Sequence, residues 1–235
     1  MTVIAALACL LGVGVGPAQA SAAKSGTWIG LRASASTVDY GGLVTLTAHL
    51  AATHSSRFVT IYASPPITGP VYVLASGNVD SHGLFKATVR ATGLLNVYAR
   101  FAGDSGTWPA TSTEVWVNVR AVLHQKLTGQ YRTVTLHGGP YAVFHHATTP
   151  VDVITAVPAV WVYSVSPLVQ KFWAGTWHTD SHYGNRWLNG KPVKDVRLDQ
   201  GFTVGGLYRV SVGSITQEDA IVPGQTSWLY FTVTK

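Results

Sequence analysis

Apolar and polar positions alternate at period two through most of the chain. The stretches LVTLTAHL (43–50), RFVTIYAS (57–64), VYVLASG (71–77), LFKATVRAT (84–92), NVYARFAG (96–103) and TEVWVNVRA (113–121) each put apolar side chains on one face and small or polar ones on the other. That period predicts half-buried strands. The breaks carry turn chemistry: Asp39-Tyr40-Gly41-Gly42, Pro65-Pro66, Thr68-Gly69-Pro70, Asp80-Ser81-His82-Gly83 and Gly103-Asp104. No segment longer than a turn or two shows the period of an amphipathic helix. Six or seven strands in about 97 residues is the rhythm of an immunoglobulin-like sandwich.

A second series follows. QYRTVTL (130–136) and YAVFHHA (141–147) flank His137-Gly138-Gly139-Pro140 and predict a hairpin. VDVITAV (151–157), WVYSVSP (161–167), VQKFWAGTWHTD (169–180), DVRLDQGF (195–202), LYRVSVGS (207–214) and SWLYFTVTK (227–235) continue the short-strand pattern. The last hairpins of the two series echo each other: GLLNVYARFAGD before TSTEVWVNVR, and VGGLYRVSVGS before GQTSWLYFTVT. Two copies of one fold account for this better than a single barrel. The expected class is all-β, with one sandwich over 27–121 and a second over 122–235 that begins with the hairpin at 130–147.

Composition narrows the setting. Only 11% of the 235 residues are charged, and 16 Lys and Arg against 10 Asp and Glu give a formal charge of +6. The basic residues are scattered singly, which suits solubility and weak attraction to anionic wall polymers and argues against nucleic acid as a partner. MTVIAALACLLGVGVGPAQA is apolar and ends in Ala18-Gln19-Ala20, so residues 1–20 are expected to be a signal peptide and 21–26 a short leader. Cys9, the single cysteine, lies in that segment. The mature chain would then hold no thiol for disulfides, zinc-thiolate sites or nucleophilic catalysis, and no transmembrane segment.

Residues 27–121 resemble the bacterial Ig-like repeat domains of secreted and surface proteins. The resemblance rests on Tyr40-Gly41, on Tyr98-Ala99-Arg100-Phe101-Ala102-Gly103-Asp104, on Trp108-Pro109 and on Ala110-Thr111-Ser112. The family more often has Tyr where Trp108 stands. The whole chain resembles secreted actinobacterial proteins with tandem Ig-like domains, whose second domain ends in motifs matched here by Tyr208-Arg209-Val210 and Trp228-Leu229-Tyr230-Phe231. Those relatives often carry a cysteine pair in the second domain, and this sequence has none. The resemblance implies two sandwiches working outside the cell, and Tyr98 resembles the tyrosine that pins the corner of such folds.

Chemistry-bearing patterns are few. In WHTDSH (177–182), a regular strand would place His178, Asp180 and His182 on one face, a donor set that suits a first-row metal and a metal-dependent hydrolase. The alternative is a polar strand end in water, and no metal or cofactor is assigned. The Gly-x-Ser-x-Gly elbow, the His-Glu-x-x-His helix and the phosphate-cradling loop are all missing from the sequence, and Glu114 and Glu218 are its only glutamates. No catalytic residues are therefore expected. Asp104 reads as a turn residue, because Ser214 takes its place in the second series and either side chain can bond the backbone two residues on.

Aromatics are the remaining signal. Trp161, Tyr163, Phe172, Trp173, Trp177, Tyr183 and Trp187 crowd one part of the second series, where they either fill a core or form a platform. Trp177, Tyr183 and Trp187 are the candidate ligand-binding residues. The sequence thus points to an exported, non-enzymatic adhesion, scaffold or binding module whose partner is an extracellular protein or an envelope glycan. Carbohydrate binding through the aromatic patch is the alternative to a protein partner.

Overall fold

In the computed structural model, the described residues are 23–51, 57–64, 69–216 and 221–235. The expected signal peptide, Pro65-Pro66, Thr68 and Glu218 lie outside them. Among the described residues every regular element is a β-strand, and no helix is long and apolar enough to cross a membrane.

The first nine strands are β1 (Ile29–Ala33), β2 (Thr37–Asp39), β3 (Leu43–Leu50), β4 (Phe58–Ser64), β5 (Tyr72–Asn78), β6 (Leu84–Arg90), β7 (Leu95–Phe101), β8 (Ala110–Thr111) and β9 (Val115–Arg120). They form a three-stranded sheet in the order β1-β3-β6 and a sheet in the order β2-β9-β7-β4-β5, with β8 on β7. Period-two alternation explains the packing. Val44, Leu46, Ala48 and Leu50 of β3 are fully buried, as are Val59 and Ile61 of β4 and Val97 and Ala99 of β7. These inward rows meet as a sandwich-like core, with Thr45, Thr47, Tyr62 and Tyr98 turned away from it.

Ala121 alone separates β9 from β10 (Val122–Thr128). Then come β11 (Arg132–Leu136), β12 (Gly139–His145), β13 (Val151–Val157), β14 (Val162–Trp173), β15 (Thr176–His182), β16 (Arg186–Trp187), β17 (Val193–Arg197), β18 (Leu207–Thr216) and β19 (Leu229–Thr234). They form a small sheet, β10-β13-β17, and a seven-stranded sheet, β11-β12-β19-β18-β14-β15, with β16 on β14. Phe144, Ile154, Val165, Val169, Tyr208, Val210 and Phe231 fill the space between them, each at most 1% exposed.

The two sets of sheets also meet. The amide of Ala121 donates to the carbonyl of Val222 (3.0 Å), and the amide of Val222 donates to the carbonyl of Val119 (2.8 Å). Tyr40 stands edge-on to Trp161 with ring centroids 6.3 Å apart.

Four expectations need correction. Residues 122–128 form β10, although no strand was expected there: His124 and Lys126 face solvent while Leu127 is buried. Pro167, read as the end of a strand, lies inside β14, which runs on to Trp173. VQKFWAGTWHTD is no single strand but a hairpin that turns at Ala174-Gly175, both at positive φ (51° and 84°). Tyr98 is not the pinning tyrosine. It lies on the outer face, stacked on Tyr62 at 5.3 Å, whereas the buried Tyr208 accepts a 2.8 Å hydrogen bond at its hydroxyl from the amide of Thr203, five residues upstream.

Candidate functional site

The outer face of the seven-stranded sheet is set by strand register. One row across it runs Trp177, Phe172, Leu207 and Thr232; the next runs Thr179, Gln170, Arg209 and Tyr230. Tyr141 stands on β12 beside Tyr230, with ring centroids 5.3 Å apart. The inward neighbours Val169, Tyr208, Val210 and Phe231 are buried, so period two obliges these rows to the outer face, where Tyr141 and Thr232 are nonetheless covered, 4% and 7% exposed.

Two tight hairpins wall this face. The β11–β12 loop consists of His137 (φ 49°) and Gly138 (φ 78°), and the β14–β15 loop of Ala174 and Gly175. Positive φ at both central residues is the type I′ geometry that joins twisted strands in two residues, and glycine takes the second position without a steric penalty. The result is a groove of about 380 Å³ bounded by His137, Gly138, Tyr141, Phe172, Trp177, Leu207 and Tyr230, within the size range of small-ligand sites.

Its walls are aromatic and interlocked. Trp177 lies 5.2 Å from Phe172 and 5.7 Å from Tyr230, and His137 lies 6.1 Å from Phe172, centroid to centroid. Beside the groove, the Arg209 guanidinium sits between two indoles, its Cζ 4.6 Å from the Trp177 ring centre and 4.2 Å from that of Trp228. Arg209 Nε and Nη2 both donate to Gln170 Oε1, at 2.9 and 2.6 Å. Burial pushes the Tyr141 hydroxyl above its ordinary pKa, Tyr230 adds to the rise, and Arg209 opposes it. Rings and polar groups of these kinds have the chemistry to stack on flat ligand faces and to hydrogen-bond to hydroxyls and anions.

The sequence candidates are dispersed. Trp177 is a groove wall. Tyr183 is only 6% exposed, accepts a 3.3 Å hydrogen bond from the Gln200 amide, and is pushed by burial to a pKa of about 12. Trp187 is 58% exposed on β16, opposite Ser164. Ser164 and Phe172 are eight residues apart on β14, so Trp187 stands about 26 Å along the sheet from Trp177. The three do not form one patch.

His178, Asp180 and His182 do not share a face. The ladder between β14 and β15 shifts register between Val169 and Gln170, leaving Asp180 as the bulged residue. His178 therefore pairs with Lys171 and His182 with Leu168, on opposite faces of the sheet. His178 Nε2 is 2.7 Å from Thr176 Oγ1, and His145 stacks on Tyr131 at 4.0 Å. Among the described residues, no group of three or more His, Cys, Asp or Glu is placed to hold a metal ion.

No protein family is matched by this chain. No curated protein matches it either. Among solved structures, red sea bream transglutaminase is similar at 14% identity and a TM-score of 0.36, over 87% of this chain and 31% of that one. The chain thus spans less than a third of that enzyme's length, and the likeness bears on neither fold family nor activity.

Of the groove residues, sequence reading singled out Trp177 and counted Phe172 among the crowded aromatics. Tyr141, Arg209 and Tyr230 escaped it as site residues because they lie 32 or more positions away from Trp177 and converge only through sheet order. The available signal was local: Arg209 and Tyr230 alternate with the apolar Tyr208, Val210 and Phe231, so they must face the other way.

Proposed function

We propose that this chain is an exported, non-enzymatic binding module of two tandem Ig-like sandwiches, and that its ligand is an extracellular glycan seated in the aromatic groove. One observation carries the binding assignment: Tyr141, Phe172, Trp177 and Tyr230 converge from four strands on one outward groove. The half-buried rings of Phe172, Trp177 and Tyr230, backed by the buried Tyr141, present flat apolar faces to the C–H faces of sugar rings, while His137 and the Tyr230 hydroxyl supply directional hydrogen bonds. Export is supported by the apolar run of 1–20 and its Ala-Gln-Ala end. The tandem reading is supported by two sets of sheets that change over at Ala121, and by the tyrosine pin at Tyr208.

The test is a pull-down of residues 21–235 against envelope polysaccharides. Trp177→Ala is expected to lose the captured glycan and Trp187→Ala to retain it; equal capture by both would remove the groove from the reading.

A second reading, adhesion to a protein, is favoured by β5. Among the described residues this strand pairs only with β4, and Tyr72 and Val73 are exposed on it, an edge suited to strand addition.

A further inference from the structure

The charge around the groove points to a narrower ligand class than its rings do. The strands of the seven-stranded sheet carry Arg132, Lys171, Arg186 and Arg209 against a single carboxylate, Asp180, which sits at the bulge on β15. No acidic residue bounds the groove. Among the described residues the ion pairs are Arg57 with Asp104 and Arg120 with Asp39, so Arg209 has no carboxylate partner. It is nonetheless half-buried and fixed. Its Cζ lies 4.6 and 4.2 Å from the ring centres of Trp177 and Trp228, Gln170 ties down Nε and Nη2, and Nη1 has no hydrogen-bond partner among the described residues.

A partly desolvated cation of fixed orientation, with an open edge and no counter-charge, is a recognition element for a planar anion. We propose that the groove takes a glycan chain bearing carboxylates, and that Arg209 selects the acidic chain over its neutral counterpart. This rests on the reading of the groove as a glycan site. Sugar rings would stack along Phe172, Trp177 and Tyr230, with the buried Tyr141 behind them, and the acid group of a neighbouring unit would meet the free Nη1 side of Arg209 between Trp177 and Trp228. One guanidinium edge matches the two oxygens of one carboxylate. A phosphate polymer calls on several cations in a row, whereas Lys171 faces the other side of the sheet, its Nζ over the Tyr208 ring and bonded to Thr203.

The experiment is titration calorimetry of residues 21–235 with four probes: polygalacturonate oligomers, the same oligomers fully methyl-esterified, neutral xylan oligomers and poly(glycerol phosphate). Polygalacturonate is expected to bind at least about tenfold more tightly than its ester, with affinity falling as NaCl is raised. Arg209→Gln is expected to erase that preference while the ester still binds, and Trp177→Ala to weaken both. The acid–ester comparison uses the unaltered protein, so it stands even if Arg209→Gln fails to fold. Equal affinity for acid and ester overturns selection by Arg209 and leaves the glycan site in place. Tight binding of poly(glycerol phosphate) with none of polygalacturonate overturns the carboxylate assignment. Absence of binding to every probe removes the glycan reading itself.

Discussion

Gln125 Nε2 donates a 2.8 Å hydrogen bond to Asp152 Oδ2, and this is the one hydrogen bond that a fully buried carboxyl makes among the described residues. Asp152 occupies an inward position of β13 beside Ile154 and Ala156, where alternation calls for an apolar side chain. Gln125 is held in turn by Thr226, whose hydroxyl donates to Gln125 Oε1 at 2.7 Å and accepts the Val212 amide at 2.9 Å.

Burial raises the Asp152 pKa from 3.8 to about 7, against the smaller lowering effect of Gln125. The folded state therefore keeps a proton that the unfolded chain has already released. Stability from this group is fully present below pH 3.8, declines as pH rises, and levels off above about pH 7. The loss across that window is on the order of 4 kcal/mol. Denaturant titrations at pH 5 and pH 8 are expected to show the wild type weaker at pH 8, with most of that difference gone in Asp152→Asn. An unchanged pH difference in the variant would dismiss the assignment.

Asp104 titrates in the opposite sense. Its partial desolvation raises the pKa, but the Gly106 amide at Oδ1 (2.9 Å), Thr107 and the Arg57 guanidinium at Oδ2 (3.0 Å) outweigh it, and the carboxyl lies below 3.8. The stability it contributes is present above pH 3.8 and is lost as pH falls through the depressed value. Acid unfolding followed below pH 4 should set in at higher pH for the wild type than for Asp104→Asn, measured relative to each protein's own stability at pH 6. Matching relative profiles would contradict the role.

How far the sequence reads depends on which residues carry the information. Leu43–Leu50 matches the expected strand residue for residue, because alternation of Val44, Leu46, Ala48 and Leu50 with polar partners fixes both its span and its buried face. The hairpin at Ala174-Gly175 was hidden, since Ala-Gly lacks the Asn-Gly or Asp-Gly signal of a type I′ turn and flanking aromatics continue the pattern across it. The bulge at Asp180 was equally silent: one extra residue inverts every later side chain, and only pairing with β14 reveals it. For the groove, Trp177 was legible as an aromatic, but its partners Tyr141, Arg209 and Tyr230 belong to other strands and are brought there by sheet order.

The pin at Tyr208 separates two tyrosines that look alike in sequence. Tyr208→Phe removes the acceptor of the Thr203 amide from a buried ring, and a loss of about 1 kcal/mol is expected. Tyr98→Phe removes a hydroxyl from a half-buried outer-face ring stacked on Tyr62, and the change should stay within about 0.5 kcal/mol. Chemical denaturation of both variants checks the order; a larger loss at Tyr98 would reverse the assignment.

Gly224 marks the place where the two sets of sheets are joined. A Cβ built there collides with the backbone carbonyl of Ala121. The glycine is held against β18 by Ser214, whose amide donates to the Gly224 carbonyl (3.0 Å) and whose Oγ accepts the Gly224 amide (2.9 Å). Two residues upstream, Val222 exchanges hydrogen bonds with Val119 and Ala121, and Ile221 is buried. A methyl group at 224 cannot be relieved by rotating a side chain, because its neighbour is backbone, so the 221–224 segment must lift away from Ala121. Gly224→Ala is expected to cost on the order of 2 kcal/mol. Gly213→Ala on the adjacent strand is the control, since a Cβ there meets nothing within 4 Å, and it should change stability by less than about 0.5 kcal/mol. Hydrogen exchange gives the decisive readout. In Gly224→Ala the amides of Ala121 and Val222 should lose protection first, while those of the β3–β6 pair, 43–49 against 84–90, keep theirs. Uniform loss across all of them would mean that the glycine supports global stability and not this junction.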